Sequence, residues 1–262
     1  MTVKSLAAAA RIGFMLIVVQ GIAAEAAEVK VLCSNAIIPI MNELVPQFER
    51  ATGHKLAIRY ESGPILKRQI EAGEAFDVAI LSLDVDDLIK QGKLAAGTRA
   101  VLGRTGVGVG VRKGAPKPDI STTDSFKRTL LNAKSVAYSR EGSSGLFFLG
   151  LLDRLGIADE MKSKLRPQAA SQLGDPPGGT ARAVVTGDAE MVVVGVALIH
   201  MAKGAELVGW LPSELQSYVV FTGGISAAAK ETEAGRTLLS FLTTPEAAAV
   251  FKAKGLEPGA PR

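Results

Sequence analysis

Cysteine is nearly missing from this chain: Cys33 stands alone among 262 residues. A single thiol has no partner within the chain, so neither an internal disulfide framework nor a cysteine metal cluster can be built. Cys33 lies in an apolar stretch, and a small buried side chain is expected there rather than a reactive thiol. Histidine is almost as scarce. His54 follows a helix-stopping Gly53 and His200 falls late in an expected helix, and neither has a metal-ligand neighbour at useful spacing. No metal site and no cofactor are expected. Aromatic residues make up 5% of the chain and no run of Lys or Arg occurs, which argues against a nucleic-acid surface. The formal net charge of +4 comes from interspersed charges of both signs. Such a bias helps to attract an anion without showing that one binds. Hydrolytic templates are missing too: Gly142-Ser143-Ser144-Gly145 is not a five-residue nucleophile elbow, and there is no phosphate-binding Walker loop.

Long apolar runs are absent after the N-terminus, and the first 26 residues differ from the rest. Lys4 and Arg11 supply a positive start, Ile12 to Ala24 is apolar, and Ala24-Glu25-Ala26 offers small residues at the spacing a signal peptidase reads. Residues 1–26 are expected to be a signal peptide cleaved near Ala26, which predicts a soluble periplasmic chain of about 236 residues. The apolar run is shorter than the roughly 20 residues of a membrane-spanning helix. A retained N-terminal anchor is the alternative, while Cys33 lies too far past the run for a lipid anchor.

From Val29 onward, short apolar strands alternate with amphipathic helices, the pattern of an α/β fold with largely parallel strands. Val29 to Cys33 reads as a buried strand. Ile37, Met41, Leu44, Val45 and Phe48 then recur at helical spacing until Gly53. Leu56, Ile58 and Tyr60 alternate as the next strand, and a helix follows Ser62-Gly63-Pro64, with Pro64 suited to its first turn. Phe76 to Leu81 is a third strand and Val85 to Ile89 begins a third helix. Val101 to Arg112 breaks this rhythm, because Val107, Val109 and Val111 alternate with Gly106, Gly108 and Gly110. It reads as a long strand leaving a first lobe; no further Gly at 113 and no following helix support a dinucleotide fingerprint. A second set of units follows, with a helix at Thr123 to Leu131, a strand at Ser135 to Tyr138, and a helix at Leu146 to Leu155. Thr180 to Thr186 is then a helix and Met191 to Val196 a strand. Tyr218 to Ala227 is a second extended segment that carries the chain back, and Thr244-Pro245-Glu246 opens a last helix that Gly255 ends.

Small hydroxyl and glycine residues recur where a strand meets the next helix. Four such junctions are Ser34-Asn35-Ala36, Ser62-Gly63, Gly142-Ser143-Ser144-Gly145 and Gly178-Gly179-Thr180. Each places free backbone N–H groups at a helix N-terminus, where a small anion can be held without formal charge. Each is also an ordinary helix cap when taken alone. The strand ends of an open α/β sheet are where ligands usually bind. Arg140 lies two residues before the third junction, and its guanidinium matches a carboxylate in two-point geometry. The alternative is an exposed arginine paired with Glu141 or Asp153. Lys67 and Arg68 read as solvated surface charges. Proton transfer remains open to a lone Glu, Tyr, Lys or His in a closed cleft, since one base leaves no motif.

The order of these pieces resembles the periplasmic molybdate-binding protein family of ABC-transporter solute-binding proteins, over nearly all of the chain after residue 26. The opening VKVLCSNAIIPIMNELVPQFERATGHKLAIRYESGPILKRQIEAGEAFDVAILS is similar to the first lobe of that family. Ser34 to Ala36 and Ser62-Gly63 stand where its members take oxyanion contacts from hydroxyls and backbone N–H groups. GSSGLFFLGLLDRLGI and LLSFLTTPEAAAVFKAKGLEP resemble segments of its distant organic-anion members. Two departures bear on the ligand: Asn35 replaces a small residue in the first loop, and Arg140 brings a charge where molybdate sites rely mainly on neutral donors. Both favour a small di- or tricarboxylate over a tetrahedral oxyanion. One similar branch is an enzyme, a periplasmic aconitate isomerase that shifts a double bond by moving a proton.

The resemblance implies a two-lobed type II binding-protein fold, each lobe a mostly parallel sheet flanked by helices with the ligand cleft between them. Lobe 1 is expected at 27–105 plus 226–262 and lobe 2 at 106–225, with closure a hinge motion about the two crossing segments. The expected ligand contacts are Ser34, Asn35, Ala36, Ser62, Gly63, Ser143, Ser144 and Gly145, with Arg140, Gly179 and Thr180 in support. A small anion and an inner-membrane ABC permease are the expected partners of a monomer that binds no nucleic acid. The enzymatic alternative is a cofactor-free isomerase of an unsaturated tricarboxylate, with Glu141, Tyr138 or Lys67 as the base. A sensory binding protein is a third reading.

Overall fold

The computed structural model describes residues 26–169 and 179–259. The expected signal peptide, apart from Ala26, lies outside the described residues, as does Gly178 of the fourth junction. Two apolar sheets joined through one long strand organise the chain. In the first, β1 (Glu28–Ser34) pairs in parallel with β2 (Lys55–Glu61) on one side and β3 (Val78–Leu81) on the other. Helices α1 (Ile38–Thr52), α2 (Gly63–Glu71) and α3 (Asp86–Lys90) follow these strands in turn. The helical spacing noted in the sequence is realised in α1, which buries Ile40, Met41, Leu44 and Phe48. It stops at Gly53, whose left-handed φ of 77° favours glycine and whose N–H donates to the Glu49 carbonyl.

The 13-residue β4 (Ala100–Arg112) then runs through both sheets. Beyond it come α4 (Thr123–Asn132), β5 (Val136–Ser139), α5 (Ser143–Arg154), the short α6 (Ala158–Met161) and β6 (Leu165–Gln168). A 3₁₀ turn at Gly179–Ala181 leads into α7 (Arg182–Thr186), followed by β7 (Met191–Gly195), α8 (Val196–Met201) and β8 (Ala205–Trp210). The chain returns along β9 (Tyr218–Ile225) and ends in α9 (Thr232–Leu242), α10 (Pro245–Ala253) and β10 (Glu257–Pro258). The Thr244 side chain caps α10 by accepting from the Ala247 N–H, as the Thr-Pro-Glu string predicts.

The strand order is β2-β1-β3-β9-β4-β7-β5-β6, with β8 and β10 also on β4. Parallel pairing is found where strands alternate with helices, among β1, β2 and β3 and among β5, β6 and β7. The crossing strands β4 and β9 run antiparallel to their neighbours. They join the sheets directly instead of closing a helical crossover, and antiparallel pairing is what such direct connections permit. Along β4, Ala100 to Gly106 pairs with β9 and Val107 to Val111 with β7.

The Val-Gly alternation of β4 now has a packing explanation. Val107, Val109 and Val111 point into an apolar cluster with Phe126, Phe148 and Leu151. The glycines face the other way, where a Cβ on Gly108 would stand 2.7 Å from Val196 and one on Gly110 3.1 Å from Ile199, both in α8. Without side chains there, α8 settles directly on the strand. At Gly106 the added carbon would meet the ring of Trp210 at 2.1 Å. Trp210, the only tryptophan in the chain, is 41% exposed. Its ring tilts onto Tyr218 at 6.4 Å between centroids, and Arg104 lies 4.5 Å from the Tyr218 ring centre.

Both faces of each sheet are covered. In the first, Val29, Val31 and Cys33 pack with α1, α9 and α10, while Leu32 packs with Leu66 and Ile70 of α2 on the opposite face. Cys33 is fully buried and that burial pushes its thiol far up, so it is the inert core residue expected. The Asp77 carboxylate, 4% exposed, accepts backbone N–H groups of Lys30 at 2.9 Å, Lys230 at 2.8 Å and Glu231 at 3.2 Å. It thereby ties the start of β1 to the approach to α9. Asp77→Ala leaves three donors without their acceptor and is expected to cost about 3 kcal/mol or more. In thermal denaturation the midpoint should fall by roughly 6 °C or more.

Candidate functional site

Five strand ends, those of β1, β2, β3, β5 and β7, deliver their following loops to one cleft between the sheets. Asn35, Ala36, Ser62, Ser82, Val219 and Phe221 line it from the first sheet. Ser139, Gly142, Ser143, Ser144, Gly195, Ala197 and Leu198 line it from the second, and Thr105 sits where β4 crosses. The cleft holds a cavity of about 30 Å³. That is room for about two water molecules, so the two walls are close together.

The walls set hydroxyl side chains among apolar ones such as Leu198, Val219 and Phe221, and carry no ionisable side chain among the described residues. Ser62 ends β2 and stands at the N-terminus of α2. Its N–H donates to Glu61 Oε1 at 2.7 Å, while its buried Oγ has no hydrogen-bond partner among the described residues. A buried hydroxyl with nothing to bond is costly, and in a cleft it asks for a ligand or water. Across the cleft, Gly142 caps α5 and its N–H donates to Ser139 Oγ at 3.1 Å. The N–H groups of Ser143 and Ser144 then open the helix with the positive end of its dipole toward the cleft. Thr105 Oγ1 accepts the Ala197 N–H at 3.2 Å, fixing the start of α8 to the crossing strand.

Of the expected contacts, Asn35, Ala36, Ser62, Ser143 and Ser144 are brought together as lining residues. Gly63 and Gly145 stand just behind the wall as close-approach points. A Cβ on Gly63 would lie 2.3 Å from Ser82 Oγ, and one on Gly145 only 1.6 Å from the Ser139 carbonyl oxygen. Ser34 and Thr180 are buried, each with a hydroxyl lacking a hydrogen-bond partner among the described residues, but neither lines the cavity, and nor does Gly179. Arg140 is not at the cavity. Its side chain is exposed with Nε 3.6 Å from Glu141 Oε1, and its N–H donates to the Gln168 carbonyl. The pairing with Glu141 is thus the geometry adopted.

The residues considered as bases are also elsewhere. Lys67 pairs with Asp87 at 3.3 Å and Glu71 at 3.9 Å, Glu141 faces Arg140, and Tyr138 packs on Phe148 in the second core. Sequence reasoning missed Ser82, Ser139, Thr105, Gly195, Ala197, Leu198, Val219 and Phe221. Ser82 and Gly195 obey the same strand-to-helix rule as the other junctions, at the ends of β3 and β7, and extending that rule finds them. Thr105 lies mid-strand and has no such signal. Among the described residues, no group of three or more His, Cys, Asp or Glu is placed to hold a metal ion, and no helix is long and apolar enough to cross a membrane.

Two sheets joined by crossing strands, with a cleft at their strand ends, define a two-lobed α/β binding fold. Solved structures share it. The periplasmic molybdate-binding protein of Azotobacter vinelandii superposes with a TM-score of 0.69 at 20% identity, covering 88% of this chain and all of that one. The sulfate-binding protein SubI of Mycobacterium tuberculosis gives 0.69 at 16% identity, covering 90% of this chain and 88% of that one. The family model for bacterial extracellular solute-binding proteins matches residues 29–257, and the chain belongs to that family. Among curated relatives, an aconitate isomerase of Pseudomonas sp. is 31% identical over 235 residues, covering 87% of both chains. The molybdate-binding protein of Azotobacter vinelandii is 28% identical over 240 residues, covering 89% of this chain and 91% of that one.

The Gly145 contact tests whether the α5 loop is as tight as described. Gly145→Ala drives a methyl into the Ser139 backbone, which has no flexible side chain to yield. Denaturant unfolding should show a loss of about 3 kcal/mol or more. Gly150→Ala, later in the same helix with open space around it, should be neutral or slightly stabilising.

Proposed function

We propose that this is a periplasmic solute-binding protein whose cleft closes on a small anion held by neutral donors. The observation that carries this reading is the lining itself. Hydroxyls of Ser62, Ser82, Thr105, Ser139 and Ser144 come from both sides of one cleft, with the N-termini of α2 and α5 and no ionisable side chain among the described residues. Donors of this kind stabilise an anion through aligned dipoles, and excluding acidic and basic groups leaves the cleft free of competing ion pairs. With Arg140 turned away, a compact oxyanion suits this cleft better than the small polycarboxylate that the arginine favoured. Ser62, Ser144, Asn35 and Ala36 are the first contacts.

The lobes of this reading are 27–105 plus 226–262 and 106–225, hinged at β4 and β9, with residues 1–26 removed on export. Membership in the extracellular solute-binding family supports an ABC permease as the partner that takes the ligand onward. A second reading rests on the aconitate isomerase relative. It requires a base to enter the cleft, from Glu141, Tyr138, Lys67 or another residue, on opening or on substrate binding.

A thermal-shift panel separates the two. Molybdate, tungstate, sulfate and phosphate are set against citrate, tricarballylate, cis-aconitate and trans-aconitate, and the aconitate samples are followed by proton NMR. A ligand at 100 times its dissociation constant stabilises by about 2.7 kcal/mol, a shift of several degrees. A shift with an inorganic oxyanion supports uptake, whereas interconversion of the aconitates makes the chain an enzyme. No shift with any of them would remove the anion reading. For the oxyanion that binds, Ser62→Ala should weaken affinity by roughly ten- to a hundredfold in calorimetry, the scale of a hydrogen bond to a charged group. Because the described lining residues have nothing to titrate, affinity for a fully ionised anion should stay flat between roughly pH 6 and pH 8.

A further inference from the structure

A direct contact between the walls closes the cleft. Ser143 Oγ donates to the Ser82 carbonyl oxygen at 2.6 Å, and the two hydroxyl oxygens lie 3.3 Å apart. Ser82 follows β3 in the first sheet, and Ser143 is the first residue of α5 in the second. The Ser82 side of the contact is firmly seated. Ser82 is 5% exposed and packs over Gly63, where any side chain would collide with its Oγ and its backbone nitrogen.

A serine hydroxyl has one proton to give. At 2.6 Å that proton of Ser143 is committed to a carbonyl across the cleft, so it is not also offered to an anion. The Ser82 carbonyl, for its part, is an acceptor at the cleft and has no proton to give. Left unpaired, it would repel an anion; paired with Ser143, it is satisfied within the protein.

We propose that Ser82 and Ser143 form a closure latch, and that Ser143 acts by weighting the closed arrangement of the cleft and not by touching the ligand. The proposal rests on the binding-protein reading for the meaning of closure, but the contact itself needs no ligand. Its signature follows from population arithmetic. A residue that contacts the ligand changes affinity by an amount peculiar to each ligand, whereas one that sets the fraction of closed protein changes affinity for every ligand by one common factor. One neutral hydrogen bond shifts the closed-to-open ratio by roughly two- to tenfold.

Small-angle X-ray scattering on the ligand-free protein is the test, comparing the wild type with Ser143→Ala and Ser143→Thr. The wild type should match the profile calculated from the closed structure. Ser143→Ala should show a larger radius of gyration, and Ser143→Thr, which keeps the hydroxyl, should restore the compact value. A ligand-free wild type that is already open overturns the latch whatever the variants do, and so does a Ser143→Ala profile identical to that of a compact wild type. Calorimetry with molybdate and tricarballylate supplies the second arm. A loss by one common factor, below the change in the closed-to-open ratio and smaller the more fully the ligand-free wild type is closed, supports the latch, and a loss confined to one anion returns Ser143 to the ligand contacts. If neither anion binds the wild type, it is the binding reading that fails, and the scattering still decides the latch.

Discussion

The structure depends on the continuity of β4, which stays one strand although its pairing is offset against β9 at Val101/Gly103 and against β8 at Val109/Gly110. One strand of 13 residues belongs to both sheets, so the register of the first with β9 fixes the register of the second with β7 and β8. Strand ends from two separately built sheets then face each other across a narrow gap. That juxtaposition requires the α8 side chains Val196 and Ile199 to rest on the bare β4 backbone, which the glycines at 108 and 110 allow. The cleft is therefore a product of backbone geometry before any side chain in it is chosen.

The chemistry of the cleft follows from the same economy. Helices that begin at strand ends bring N–H groups and the positive ends of their dipoles to one place, and short hydroxyl side chains add donors without adding charge. A charged side chain in so small a space would need its own partner and would hold it in the absence of ligand. Arg140 and Glu141 illustrate the outcome, since their ion pair beside the α5 loop sits outside the cavity, with Arg140 exposed and Glu141 half-buried.

Much of this was legible in the sequence. The strands β1, β2 and β3 and helix α1 have clean periodicities, and Gly53 and Thr244 mark element ends by requirements that hold in any context. The strand-to-helix junctions located Asn35, Ala36, Ser62, Ser143 and Ser144 because the signal is local: a hydroxyl or glycine between a strand and a helix. Short elements such as α6, β6 and β8 carry too few residues for a period to emerge. Ser139 and Thr105 enter the site through pairing across distant parts of the chain, which no local pattern records. The position of Arg140 is set by which way one side chain turns from a strand end, and it turns to solvent beside Glu141.

The tryptophan at the crossing of the two sheets has an optical consequence. Because Trp210 is the chain's only indole and rests on the bare backbone of Gly106, with Tyr218 beside it, all tryptophan emission arises at the point where the sheets join. Any rearrangement of one sheet against the other alters the surroundings of that ring, so the protein carries its own fluorophore at the crossing and needs no label to report on it.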